Sequence, residues 1–335
     1  MNLVAADDII ITTVIFPQTC EVKYMNYVFG IDLGGTTVKL GLFTVEGQLL
    51  DKWEIPTRPE NGGENIMPDI AAAIKNKLAE KNIDPADVKG AGIGVPGAVL
   101  HDRIVKPCVN LNGWGGDVAA MLEKECSFPV KAANDANVAA LGEMWLGGGK
   151  GYDNVVFVTL GTGVGGGIVV DGKLVAGVHG SGGEIGHIKV NPHEKETCGC
   201  GKKGCLEQYA SATGIVREAN RVLGESTKPS MLRKCESVTA KDVFDCAKAG
   251  DELAGEIVAF FGATLGRALS IVSCVCDPEV FVIGGGVSAA GQIILDSVKD
   301  AFVLNAFPAA EETRFELAKL GNDAGICGAA RMMIE

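Results

Sequence analysis

Basic residues are scarce relative to acidic ones: 30 Lys and Arg stand against 42 Asp and Glu, for a formal charge of −12. Binding a phosphate backbone requires a concentrated basic face, so this balance argues against nucleic acid and for a small-molecule partner. Long apolar runs are also missing. None reaches the roughly 18 residues of a membrane-crossing helix, so no membrane partner is expected. Residues 1–26 carry Asp7, Asp8 and Glu21 where a secretory signal would start basic, and no small-residue cleavage site follows. They read as an N-terminal extension, with Met25 just before the first convincing strand. Eleven cysteines lie singly along the 335 residues, without the density of a disulfide-stapled secreted scaffold; they fit a reducing cytoplasm. Nor is there a low-complexity linker. With 47% apolar and 21% charged residues, the chain is a soluble globular protein long enough for two domains that share a cleft.

From Tyr27 three strands follow in succession, at 27–33, 37–44 and 48–56, joined by the hairpin signals Gly34-Gly35 and Glu46-Gly47. Ile66, Ile70, Ile74 and Leu78 recur at helical spacing, with Pro68 early enough for a first turn, and Val88 to Val95 is a short apolar strand. Val118, Met121 and Leu122 form a helix face after an Asp117 cap; residues 135–146 form another helix, with Val138, Leu141 and Trp145 aligned. The opening pattern then repeats. Asn154 to Leu160 and Gly167 to Asp171 flank a glycine turn, as if a second meander opened a second half. A long apolar helix at 251–275, a buried strand from Glu279 to Ile283, a strand near Phe315 to Lys319 and a helix from Gly325 to Met333 close the chain. Cys274 and Cys276, without a His or carboxylate partner nearby in sequence, read as core.

Close to one residue in seven is glycine, about twice the ordinary usage of ~7%, and much of the excess sits at strand ends. Gly161-Thr162-Gly163-Val164-Gly165-Gly166 satisfies G-x-G-x-x-G, yet Ile168-Val169-Val170 continues as strand, whereas the dinucleotide fingerprint must open a helix. Gly167 to Lys173 fails as a P-loop for the same reason, and Leu174 replaces its hydroxyl residue. What remains is a pair of hairpin turns, Asp32-Leu33-Gly34-Gly35-Thr36-Thr37 and Leu160-Gly161-Thr162-Gly163. Each points main-chain N–H groups and a hydroxyl outward, and two facing each other would grip a polyphosphate. Asp32 is placed to hold hydrated Mg2+. The plainer reading is a pair of tight hairpins.

His187, Cys198, Cys200 and Cys205 offer one nitrogen and three sulfurs, the donor set that tetrahedral Zn2+ prefers. Glu184 lies three residues before His187, and Glu207 two after Cys205. A closed structural zinc needs neither carboxylate; together with His187 they supply acceptors and a donor suited to a ring of hydroxyls. His187 is able to bind metal through one ring nitrogen and ligand through the other. A zinc that only staples a loop, or a disulfide, are the alternatives.

These motifs, with Asn134-Asp135 and Gly284-Gly285-Gly286, resemble the ROK family of sugar kinases and regulators, most closely its bacterial glucokinases, from about Tyr27 to the C-terminus. The resemblance implies an α/β, duplicated actin-like ATPase (ribonuclease H-like) fold, with two domains around a cleft. The small domain is 27–134, with the 321–335 helix packed back on it; the large one is 135–320 and carries the zinc loop 184–207. It implies ATP with Mg2+ on the glycine turns, adenosine at Gly284, Gly285 and Gly286, and zinc near the sugar. Asp135 then becomes the general base that takes the proton of the glucose 6-hydroxyl, with Asn134 orienting the sugar; helix capping is the competing role for both. Gly97 ends the strand expected to approach the sugar, and Asn112-Gly113-Trp114 resembles the segment lining the hexose pocket. A dimer or larger assembly is also implied. N-acetylmannosamine, N-acetylglucosamine, fructose and allose remain alternative hexoses, and polyphosphate an alternative donor. A sugar-responsive regulator is disfavoured, since the acidic 26 residues before Tyr27 are too short for a helix-turn-helix.

Overall fold

The computed structural model describes residues 26–108 and 111–334. Apart from Asn26, the extension at 1–26 lies outside them. Strands β1 (Tyr27–Leu33), β2 (Thr37–Thr44) and β3 (Leu49–Pro56) form the expected antiparallel meander, to which β4 (Val88–Val95) and β8 (Val130–Asn134) add in parallel. The order is β3-β2-β1-β4-β8. A second sheet repeats it as β11-β10-β9-β12-β13, with β9 (Val155–Leu160), β10 (Val164–Val170), β11 (Lys173–Leu174), β12 (Val280–Gly284) and β13 (Arg314–Leu317). Again the first three strands are antiparallel and the last two parallel. This is the duplicated, actin-like α/β arrangement.

Helix α1 (Ile66–Lys81) accommodates Pro68 in its first turn, where no intrahelical N–H is lost, and buries Ile66, Ile70, Ile74 and Leu78. Asp117 caps α2 (Val118–Cys126) by accepting from Ala120 N at 2.9 Å. Met121, expected on its inner face, is instead 43% exposed; Val118, Ala119 and Leu122 carry the packing. The stretch between β4 and α2 holds a small sheet that the sequence did not announce, β5 (Val99–Leu100), β6 (Ile104–Cys108) and β7 (Trp114–Asp117), and it buries Trp114.

In the second half, β10 begins at Val164, earlier than expected, so the 161–163 turn is a tight hairpin, and the third strand of the repeat is only two residues long. Helices α4 (Glu207–Ala210), α5 (Ala212–Glu225) and α6 (Ala240–Lys248) precede α7 (Glu252–Cys276), and α8 (Gln292–Val303) follows it. α7 is long and apolar enough to cross a membrane, yet it packs on α5, α6 and α8 and fills the core under the second sheet. Cys276 packs against that core, but Cys274 is exposed, contrary to the core reading, because it falls on the outer side of α7. The ten cysteines among the described residues are all unpaired.

α9 (Ala324–Arg331) returns to the first sheet, where it packs on β1, β2 and β4 and crosses α3 (Asp135–Leu146). That crossing is close because Gly142 and Gly328 face main chain of the other helix; a Cβ at either would collide with a carbonyl.

Candidate active site

A cleft of about 590 Å3 opens where the two sheets meet, lined by Asp32 and Lys39 from the first and by Asp135, Thr159, Gly165, Gly285 and Gly286 from α3 and the second. Asp135 is the first residue of α3. Asn134, the N-cap, accepts from Ala136 N at 3.0 Å and Asn137 N at 3.3 Å, and its amide donates to the Gly97 carbonyl at 3.2 Å. Capping and orientation are therefore not exclusive: the cap fixes α3 and ties its start to the end of β4. The Asp135 carboxylate accepts from Ala136 N at 2.8 Å, and its residue is exposed to the cleft. Even so, the walls strip enough water to raise its pKa, against the lowering pull of the Ala136 N–H and Asn134. Asp32 is likewise raised, chiefly by burial and also by the Asp135 charge, while Lys39 pulls it down.

Both glycine turns are braced from behind. Gly34 N donates to Thr37 O at 3.0 Å and the buried Thr57 hydroxyl to Gly34 O at 2.7 Å, leaving Gly35 and Thr36 exposed. In the second turn Ala212 N donates to Gly161 O at 2.8 Å and the Thr213 hydroxyl to Thr162 O at 3.1 Å. Gly161, Thr162 and Gly286 share an adjoining cavity of about 500 Å3 with Thr239, Lys241, Phe244 and Asp245. Gly285 has φ +82, and a Cβ there would stand 2.5 Å from Leu160 N, so only glycine lets β12 exit beside the turn. Gly284 is buried inside β12 and does not reach either cavity.

The nitrogen or sulfur donors of His187, Cys198, Cys200 and Cys205 all lie within 4.8 Å of one another. Cys200 and Cys205 sulfurs are 3.6 Å apart, and Cys198 Sγ is 3.8 Å from His187 Nδ1. Tetrahedral zinc with Zn–S near 2.3 Å sets sulfurs about 3.8 Å apart, so the four donors fit it. His187 Nε2, on the other edge of the ring, is 3.8 Å from Glu184 Oε2. Glu207 turns inward: Oε2 accepts from Val164 N at 3.1 Å, and Oε1 lies 3.6 Å from Cys198 Sγ, so it ties the cysteine loop to the glycine hairpin. Together with Thr162 and Cys198 it lines a third cavity of about 330 Å3. Glu184 and His187 line none of these three cavities, and Asn112, at φ +53, donates to Pro59 O at 3.3 Å.

Two cleft residues escaped the sequence reading. Lys39, on β2, places a cation beside Asp32. Glu143 is fully buried on α3, and its carboxylate accepts from Gly148 N (2.7 Å), Lys319 N (3.0 Å) and Leu320 N (2.9 Å), so it clamps the segment that leads from β13 to α9. A charged residue followed by Gly147-Gly148-Gly149 was the available signal.

Duplicated five-stranded sheets, glycine turns braced over a cleft and carboxylates between them define an actin-like ATPase architecture of the sugar-kinase type. The chain belongs to the ROK family, whose model matches residues 28–335. It is 43% identical over 304 residues to a glucokinase of Halalkalibacterium halodurans, covering 89% of this chain and 92% of that protein. A crystal structure of a ROK hexokinase from Thermus thermophilus superposes with a TM-score of 0.76 at 32% identity, covering 91% of this chain and 96% of the other. A ROK glucokinase from Streptomyces griseus, in complex with glucose and AMPPNP, gives 0.69 at 33% identity, with 91% and 98% covered.

Proposed function

We propose that this protein is a cytoplasmic, ATP-dependent glucokinase. The observation that carries the reading is the single cleft shared by Asp32, Lys39, Asp135, Gly285 and Gly286; glucokinase relatives at 43% identity supply the sugar. Asp135 accepts the proton of the 6-hydroxyl as that oxygen bonds the γ-phosphorus and the bond to the ADP oxygen breaks. Its exposure to the cleft leaves the carboxylate open to that hydroxyl. Asn134, Gly97, Asn112, Glu184, His187 and Glu207 surround the sugar. The turns at Gly34, Gly35, Thr36 and Thr37 and at Gly161, Thr162 and Gly163 hold the phosphates through the N–H groups and hydroxyls they leave free, and adenosine lies along Gly285, on the cleft side, and Gly286, which also lines the adjoining cavity. Asp32 would hold hydrated Mg2+, and His187, Cys198, Cys200 and Cys205 would hold Zn2+. When bound, magnesium neutralises phosphate charge and zinc sets the loop and the His187 tautomer. The lobes divide at 134/135, with 321–335 returning to the first.

The chain is proposed to act as a homodimer or larger assembly, since the outer side of α7 exposes Phe260, Ile271 and Val275. The decisive experiment is a panel of hexoses with ATP-Mg. Glucose should be preferred, and Asp135→Ala should cut turnover by about 10²–10⁴-fold while sugar still binds. A preference for an N-acetylhexosamine, or near-normal turnover of the variant, would refute the sugar or the base.

A further inference from the structure

Asn137 stands two residues beyond Asp135 on α3 and is only 3% exposed. Among the described residues its Oδ1 is the sole buried side-chain nitrogen or oxygen without a hydrogen-bond partner. A buried acceptor left unpaired is a standing desolvation cost, and one in a native fold calls for an explanation. This one sits against the loop that carries Glu184 and His187. A Cβ built on Gly183 would lie 3.1 Å from the orphaned oxygen and 2.7 Å from Gly166 O, so Gly183 threads between β10 and Asn137 and needs its φ of +84 to do so. On the other side a Cβ on Gly167 would lie 3.1 Å from Asn137 Cα. The next donor along the loop is poorly held: Glu184 N reaches Ser181 O only at 3.4 Å.

We propose that Asn137 is a positioning residue for the sugar. When hexose binds, the Glu184 N–H leaves Ser181 and donates to Asn137 Oδ1, which locks the Glu184–His187 loop onto the helix that begins with Asp135. Without hexose the acceptor is unpaired although Gly183 of the loop packs against it. With hexose the desolvation cost of Asn137 is relieved, so the sugar draws affinity from a group it does not touch. The inference rests on the proposed assignment of Glu184 and His187 to the sugar.

The test is Asn137→Leu, near in size but without the acceptor, compared with Asn137→Asp, which keeps an oxygen in place. Asn137→Leu should raise the KM for glucose about tenfold, the worth of one hydrogen bond, with the KM for ATP and kcat unchanged. Its sugar-free unfolding midpoint should equal or exceed that of the wild type, while the upward shift produced by glucose should shrink. Asn137→Asp should keep a KM for glucose close to the wild-type value. An unchanged KM for glucose in Asn137→Leu would overturn the proposal, as would a lowered sugar-free midpoint with both KM values raised, the mark of packing alone. Should the leucine variant not fold, amide hydrogen exchange on the wild type decides: Glu184 N–H should exchange more slowly with glucose, and equal rates refute the switch. A failed glucokinase reading would appear separately, as a wild type that does not turn over glucose.

Discussion

The carboxylate of Asp135 is held where charge is poorly solvated, and this has a consequence for stability as well as for chemistry. Its native pKa lies above the ordinary 3.8, so the folded chain holds the proton more tightly than the unfolded one. That preference favours folding fully below the unfolded value and is lost as pH rises through the native one. At pH 7 the ionised group therefore opposes folding. Asp135→Asn, which keeps the oxygen facing Ala136 N, should raise the unfolding temperature at pH 7 by roughly 1–3 °C and cut turnover by about 10²–10⁴-fold. The gain should fade towards pH 4; scanning calorimetry across that range checks it. The placement of single residues was legible in the sequence where type and spacing mark it, as for Asp32 at a strand end, Asp135 at a helix start, both lining the cleft, and the clustered His187 and cysteine set. Lys39 was hidden because a lysine in a hairpin strand reads as a solvated face. Glu143 and Asn137 were hidden because their meaning depends on main chain distant in sequence, at 319–320 and 183.

At the scale of elements, the cysteine loop is fastened from two directions. The metal donors close one side; on the other, Glu194 accepts from the Tyr209 hydroxyl and pairs with Arg217 at 2.9 Å, contacts that hold its pKa down to about 2. The loop should therefore stay docked when the metal is removed but lose its inner order. Metal analysis should find about one zinc per chain, and Cys200→Ser should lower that content and raise the KM for glucose without affecting the KM for ATP. A full metal complement in that variant would reject the donor set. β1, β2, β4 and α3 matched the sequence reading to the residue, because hairpin glycines and the Asn134 cap mark their ends. α5 has its own cap, the Ser211 hydroxyl accepting from Gly214 N at 3.0 Å, but its apolar face is thin: Arg217, Glu218, Arg221 and Glu225 lace its surface with ion pairs, and only Gly214, Ile215 and Ala219 are buried. The β5–β7 sheet was illegible for another reason: two of its strands are short or glycine-broken, and β6 runs through Pro107.

For the whole molecule, the duplication was readable from the repeated meander and glycine turn, whereas the exposed outer face of α7 was not, since an apolar helix looks the same from either side. Ile271 is 48% and Val275 82% exposed there. Under the proposed self-association through this face, replacing both with glutamate should give a purely monomeric species in sedimentation velocity, with little loss of thermal stability; an unchanged sedimentation coefficient would reject this face as the contact. The return of α9 to the first sheet has a further effect. Ile326, Cys327 and Ala330 share one core with Val28 and Phe43, so residues made earlier wait for residues made much later. At about 5–20 residues per second, a ribosome leaves that apolar patch uncovered for roughly 15–60 s. The nascent first lobe is thus a client for chaperones until the last helix emerges, and truncations that remove this helix should be cleared by proteases even though every residue of the cleft's chemistry up to Gly286 has been made.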